Sequence, residues 1–179
     1  IMGSIDKRFY LSQLGFSDVT VEGAYIAGKV PFPLLAIHRA NQTYAYQLNS
    51  YNLMNFLEFV SDRYAAINID HNFNGFFLNK IPLLNKLKLR EIVSFKAIYG
   101  GLRDENNPDK TPQGNFKMPT YENGSQRTYS LSKEPYMEGS VGLGNIFKFL
   151  RVDLVKRFNY LDNPEVTEWG VRARIKLDF

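Results

Sequence analysis

A chain of 179 residues is of single-domain size, and its net charge of +4 is scattered through the sequence with no nucleic-acid motif beside it, so a nucleic-acid partner is not expected. The absence of cysteine excludes a disulfide framework and a thiolate metal site. A mean hydropathy of −0.30, with no run near the ~20 apolar residues of a membrane helix, excludes helical membrane spans but not a barrel whose inward residues are polar.

In chain order, residues 7–13 make a candidate strand. Residues 19–25 make a clearer one, with Val19, Val21 and Tyr25 opposed to Thr20 and Glu22. A long connection follows over 28–55. Residues 64–73 set Ala65, Ile67, Ile69 and Phe73 against Asn68, Asp70 and Asn72, and a shorter connection runs over 74–86. Residues 87–101 place Leu87, Leu89, Val93, Phe95, Ala97 and Tyr99 against Lys88, Arg90, Ser94 and Lys96, with Glu91 breaking the apolar face. Residues 102–133 read as a long polar loop punctuated by Pro108, Pro112 and Pro119.

A short Gly-rich strand is expected over 136–143. Residues 149–160 alternate between Leu150, Val152, Leu154, Phe158 and Tyr160 on one side and Arg151, Asp153, Arg157 and Asn159 on the other, with Lys156 out of phase. After a turn at 161–166, residues 167–179 alternate almost without error. Trp169, Val171, Ala173, Ile175, Leu177 and Phe179 share one face; Glu168, Arg172, Arg174, Lys176 and Asp178 share the other. A strand of ~9–11 residues crosses a bilayer when tilted, and an apolar-out, polar-in repeat with short turns on one side and long loops on the other marks a transmembrane barrel.

Conventional chemistry finds little support. His38 and His71 are far apart and lack a spacing partner, Ser140 lacks a nucleophile-elbow pattern, and Gly142 and Gly144 do not open a helix. Asp104, Glu105 and Asp109 do not have EF-hand spacing. No catalytic, metal or cofactor site is expected. The inward charges Arg151, Arg157, Arg172 and Arg174, with Lys88 and Arg90, share a face with Glu168, Asp153, Asp178 and Glu91. Confined charge needs a partner, so a network of ion pairs is expected; the other reading is a surface for a passing polypeptide or anion.

Several segments together resemble a known family: Gly28-Lys-Val-Pro-Phe-Pro-Leu-Leu35 with Ile37-His38, Asn52-Leu-Met-Asn-Phe-Leu-Glu-Phe59, Ser61-Asp-Arg-Tyr64, Asn79-Lys-Ile-Pro-Leu-Leu84, Glu134-Pro-Tyr-Met-Glu138, Gly144-Asn-Ile-Phe147 and terminal Phe179. They look like the carboxyl end of a large outer-membrane family with a carboxypeptidase-regulatory-like domain ahead of a surface-antigen barrel, similar to BamA, TamA and the two-partner secretion pores. The resemblance implies that residues 1–179 are the last six or seven strands of a barrel usually built from sixteen. Residues 1–4 do not read as a secretory leader, so an exported protein would start upstream of Ile1.

The resemblance further implies an all-β, antiparallel transmembrane barrel segment in the bacterial outer membrane. Its role would be non-enzymatic, in insertion, secretion or surface display of proteins. Its partners would be outer-membrane lipid, the barrel-assembly machinery and other outer-membrane proteins. Trp169, Leu177 and Phe179 would form the assembly signal, although Arg174 stands where Gly is common. Arg39 would be the equivalent of the arginine on a loop folded into the lumen, with Ala40 in place of the motif's glycine. The alternating strands also fit a soluble lipocalin-like or lectin-like β-protein with an interior ligand.

Overall fold

The computed structural model describes residues 1–108, 110, 117–131 and 133–175. Period-two alternation gives each long strand two chemically distinct faces, and the seven long strands join edge to edge in chain order without a crossover. The strands are β1 (Met2–Tyr10), β2 (Phe16–Tyr25), β3 (Ala36–Ile37), β4 (Phe59–Ser61), β5 (Arg63–Asn72), β6 (Arg90–Gly101), β7 (Tyr129–Ser130), β8 (Tyr136–Ile146), β9 (Leu150–Arg157) and β10 (Trp169–Ile175). A seven-stranded antiparallel sheet runs β1-β2-β5-β6-β8-β9-β10. A small sheet, β3-β4-β7, is built from the long connections.

Burial along the strands runs opposite to that of a soluble sandwich. On β9, Arg151, Asp153, Val155 and Arg157 are buried while Leu154 is exposed; on β8, Glu138 and Ser140 are buried while Val141 is 66% exposed. Ser94 and Lys96 are buried on β6 while Val93, Phe95 and Tyr99 face out. The register carries the polar row across the sheet, from Asp18 to Asp70, Ser94 and Ser140. Gly142, two residues along β8 from Ser140, makes room beside this row for Asp153, since a Cβ there would lie 2.4 Å from Asp153 Oδ1.

The apolar core lies between this inner face and a segment of the 26–62 connection laid across it. Tyr51, Met54, Phe59 and Leu131 pack on Ile98 and Tyr136 of the wall, and Tyr46 and Leu53 pack on Val155. Connections 11–15, 73–89 and 147–149 gather at one end of the sheet. Connections 26–62, 102–135 and 158–168 gather at the other. The expected alternation of short and long links holds except at 158–168, which is shorter than 73–89 on the opposite end, as the turn composition of 161–166 indicates.

Several boundaries differ from expectation for local backbone reasons. The candidate strand at 7–13 is shifted to β1, because Ser12–Leu14 is a 3-10 turn closed by Gly15. Gly15 has φ +86, and a Cβ there would lie 1.9 Å from Asn72 O, so only glycine fits. β6 begins at Arg90 because Lys88 takes φ 49, and β9 ends at Arg157, before the chain turns through Tyr160 at φ 54. The 74–86 connection carries a 3-10 turn (Leu78–Lys80) and a one-turn helix, α1 (Pro82–Asn85).

Candidate functional site

The inserted segment is shaped first by its own asparagines. Asn41 Nδ2 donates to Ala45 O at 2.6 Å and to Asn52 Oδ1 at 2.8 Å, while Asn41 Oδ1 accepts from Thr43 N at 2.9 Å. Asn52 Oδ1 also accepts from Gln47 N, and its amide donates to Gln47 O. Short side chains that bond nearby backbone let a loop of this size satisfy its polar groups without a ladder.

The wall then holds the segment through charged side chains. Glu138 accepts from Asn52 N at 2.7 Å, Leu53 N at 3.0 Å and the Tyr136 hydroxyl at 3.0 Å. Lys96 Nζ donates to Gln47 O at 2.6 Å and Ser50 O at 2.5 Å, and lies 3.9 Å from Glu138. Arg157 makes a bidentate pair with Glu58 at 2.9 and 2.6 Å and donates to Leu53 O. Arg172 donates to Asn52 O at 2.8 Å. Arg151 bridges Asp70 and Asp153 and sits 4.3 Å from the Tyr46 ring. Charge-assisted bonds of this kind are the stronger class, and here they tie an inserted loop to four different strands.

The roots of the connections are fixed by a second cluster. Asp62 Oδ2 accepts from Arg103 N and Nε and from Asn106 Nδ2, and Arg103 also donates to Ile26 O. His38 is buried, with Nε2 2.9 Å from Ser61 Oγ and its ring edge-on to Tyr64. Burial and the neighbouring Arg39 charge push the His38 imidazole down to about 3, so it is neutral at ordinary pH. Burial likewise raises the Tyr46 phenol to about 12.

Several cavities flank the segment. One of about 750 Å³ lies between it and β10, lined by Thr43, Tyr44, Leu53, Met54, Trp169 and Val171. A second, about 240 Å³, lies at the short-turn end and is lined by Arg8, Asp70, Arg90, Lys148, Arg151 and Arg174.

The residues singled out from sequence are distributed as follows. Arg39 pairs with Glu22 on β2, which also takes the Tyr64 hydroxyl, while the Arg39 side chain stays 54% exposed. Arg151, Arg157 and Arg172 all face inward and all bond. Arg174 is half-buried and borders the second cavity, with no ion pair among the described residues.

Trp169 faces outward beneath Lys156, 4.6 Å from its ring centre. Leu177, Phe179, Lys176, Asp178, Asp109 and Pro112 lie outside the described residues. Two expected lumen partners are reassigned. Glu168 pairs with Lys156 at 3.5 Å, and Glu91 accepts from the backbone N–H groups of Phe77 and Leu78 at the turn. Among the described residues no group of three His, Asp or Glu side chains is placed to hold a metal ion.

Sequence reasoning did not single out Glu138, Lys96, Glu58, Asn41, Asn52 and Asp62. The inward phase of Lys96 and Glu138 on their strands was the available signal for two of them. The other four depend on where the inserted segment comes to rest.

Residues 2–108 match a family of unknown function, DUF5686, over its C-terminal domain. The chain belongs to this family. The DUF5686 match takes in β1 to β6, the inserted segment, Lys96 and the Asp62–Arg103–Asn106 cluster, whereas Glu138, Arg151, Arg157 and Arg172 lie beyond it. No curated protein and no solved structure matches the chain.

Proposed function

We propose that the chain is wall and inserted loop of an outer-membrane β-barrel of the surface-antigen type, with a non-enzymatic role in protein insertion, secretion or surface display. The supporting observation is the inverted alternation. Val21, Val93, Phe95, Val141, Leu154 and Val171 face outward along the sheet, while Lys96, Glu138, Arg151, Asp153 and Arg157 are buried beneath the inserted segment. In water so much exposed apolar surface is unfavourable, and a monomeric soluble domain rarely leaves a large contiguous patch uncovered. Against lipid it is the favourable arrangement, since Lys or Arg on the lipid face costs roughly 2–4 kcal/mol at midplane.

The lipocalin-like reading is less favoured, because charge and an inserted loop occupy the inner face of the sheet, and the 750 Å³ cavity lies at its edge, beside β10. Aromatic residues lie toward both ends of the sheet, with Phe9, Phe77 and Phe147 by the short turns and Tyr25, Tyr99 and Trp169 by the long connections. That placement suits interfacial girdles. The sheet has seven strands, one fewer than the smallest common barrel, so closure draws on further strands. At the seam between the last strand and the first, unpaired backbone groups would template a client strand. The expected partners are outer-membrane lipid, the assembly machinery reading Leu177 and Phe179, and other outer-membrane proteins.

The test is single-cysteine labelling of the full-length protein in liposomes. A membrane-impermeant thiol reagent should label Arg174→Cys, and a lipid-phase quencher should reach Val141→Cys and Val171→Cys. The reverse pattern, or loss of the folded band in unheated detergent gels, would overturn the reading.

A further inference from the structure

The pairing edge of β10 already carries an occupant. In β10 the backbone groups of Gly170, Arg172 and Arg174 are directed toward β9, as Glu168 O accepts from Arg157 N, so those of Trp169, Val171, Ala173 and Ile175 point away from the sheet. At Ala173 they are taken. Ala173 N donates to Tyr44 O at 3.0 Å, and Tyr46 N donates to Ala173 O at 2.7 Å, placing residues 44–46 alongside β10 in the parallel sense.

The two ends of this three-residue strap are held differently. Tyr46 is buried, with Arg151 4.3 Å and Lys96 5.1 Å from its ring centre, whereas Tyr44 is 87% exposed. Asn41 sets the turn before it through Ala45 O and Thr43 N. Next to the strap, the edge beside Trp169 and Val171 opens onto the 750 Å³ cavity.

We infer that residues 44–46 are a built-in latch on the edge strand β10, occupying the bonds at Ala173 that any other strand must take to pair along it. An incoming extended segment first meets the open edge at Trp169 and Val171, and then has to peel the strap away from its exposed Tyr44 end. Tyr46 stays moored to Arg151 and Lys96, so the latch can return. The inference deepens the seam reading above and rests on it for its consequence, but the latch itself is measurable without a client.

Two measurements on the full-length protein in detergent test it. In residue-resolved hydrogen exchange, Asn41→Ala should accelerate the Ala173 and Tyr46 amides together, at least tenfold, and leave the Arg172 amide, which faces β9, unchanged. An unaltered Ala173 amide would mean that the strap does not hold it, and overturns the latch.

The second measurement uses Ala45→Cys with Ala173→Cys, a pair on directly adjacent strands and within disulfide reach. The probe is a synthetic photoreactive peptide with the sequence of residues 167–179. It should cross-link to β10 at least tenfold more in the reduced than in the oxidised protein. Equal cross-linking in both states overturns the latch while leaving the seam. No cross-linking in either state, with the exchange coupling present, overturns the seam and with it the gating role.

Discussion

Arg157 concentrates the electrostatic logic of the inner face in one side chain. It is fully buried, forks onto Glu58, donates to Leu53 O, Asn159 O and Tyr160 O, and lies 4.8 Å from the Tyr136 ring centre. Glu58 in turn accepts from Asn55 N and Asn163 Nδ2, so nearly every lone pair and proton of the pair is used. Removing one partner leaves a buried charge, which costs about 3–5 kcal/mol, whereas removing both with apolar replacements is often close to neutral. Arg157→Met should therefore lower the unfolding free energy by about that amount, and adding Glu58→Leu should restore most of it. Denaturant unfolding of the parent protein and the two variants in detergent checks this. A double mutant as unstable as the single would show that the pair's worth lies in its other hydrogen bonds.

His38 makes the complementary case of a neutral group. Its folded-state pKa of about 3 lies below the ordinary value of 6.5, so the unfolded chain binds a proton that the folded chain refuses. Stability contributed by the neutral ring is full above pH 6.5. It is lost as pH falls toward 3, at about 1.4 kcal/mol per pH unit inside that window. His38→Gln, which can still bond Ser61 and does not titrate, should flatten this part of the profile. Melting temperatures from pH 7 to 4 measure it, and an unchanged acid slope in the variant would assign the loss to carboxylates.

Among elements, what was legible in the sequence was what is local. Alternation over six residues or more identifies β5, β6, β9 and β10 and assigns their faces, because a strand's two sides are fixed by its own backbone. Lys156, the residue out of phase, is accommodated outward by Glu168 and Trp169. Boundaries were less legible, since positive φ at Lys88 and Tyr160 leaves no compositional mark in residues other than glycine. The inserted segment was least legible. Glu138 and Asn52 are 86 residues apart, and their bond exists only because the whole sheet brings the wall beneath the loop. Arg39 was picked out by resemblance alone; in the structure it pairs with Glu22 on β2. The residues that carry most of the anchoring, Lys96 and Glu138, read in sequence as ordinary polar positions of alternating strands.

At the scale of the molecule, the sheet has two edges that differ in kind. β10 carries the strap at Ala173, while β1 is exposed along its whole length, from Met2 to Tyr10, with its outer backbone groups facing away from β2. A long, exposed strand edge with Ile5 and Phe9 on one face is a template for pairing with another chain. Closure by joining β1 to β10 within seven strands would need tighter curvature than the eight strands of the smallest common barrels. The isolated 179 residues should therefore fail to form a monomeric closed barrel in detergent and should associate through β1. Size-exclusion chromatography with light scattering should give mixed oligomers that shift with protein concentration. Ile1 and Tyr25 exchange backbone bonds, so in β1 the backbone groups of the odd residues face β2 and the N–H of Ser4 faces away; Ser4→Pro removes that outward donor, and should move the distribution toward monomer without restoring heat-resistant migration. A monodisperse monomer of the unmodified chain that unfolds in one cooperative step would mean that seven strands suffice, and would remove the need for partner strands.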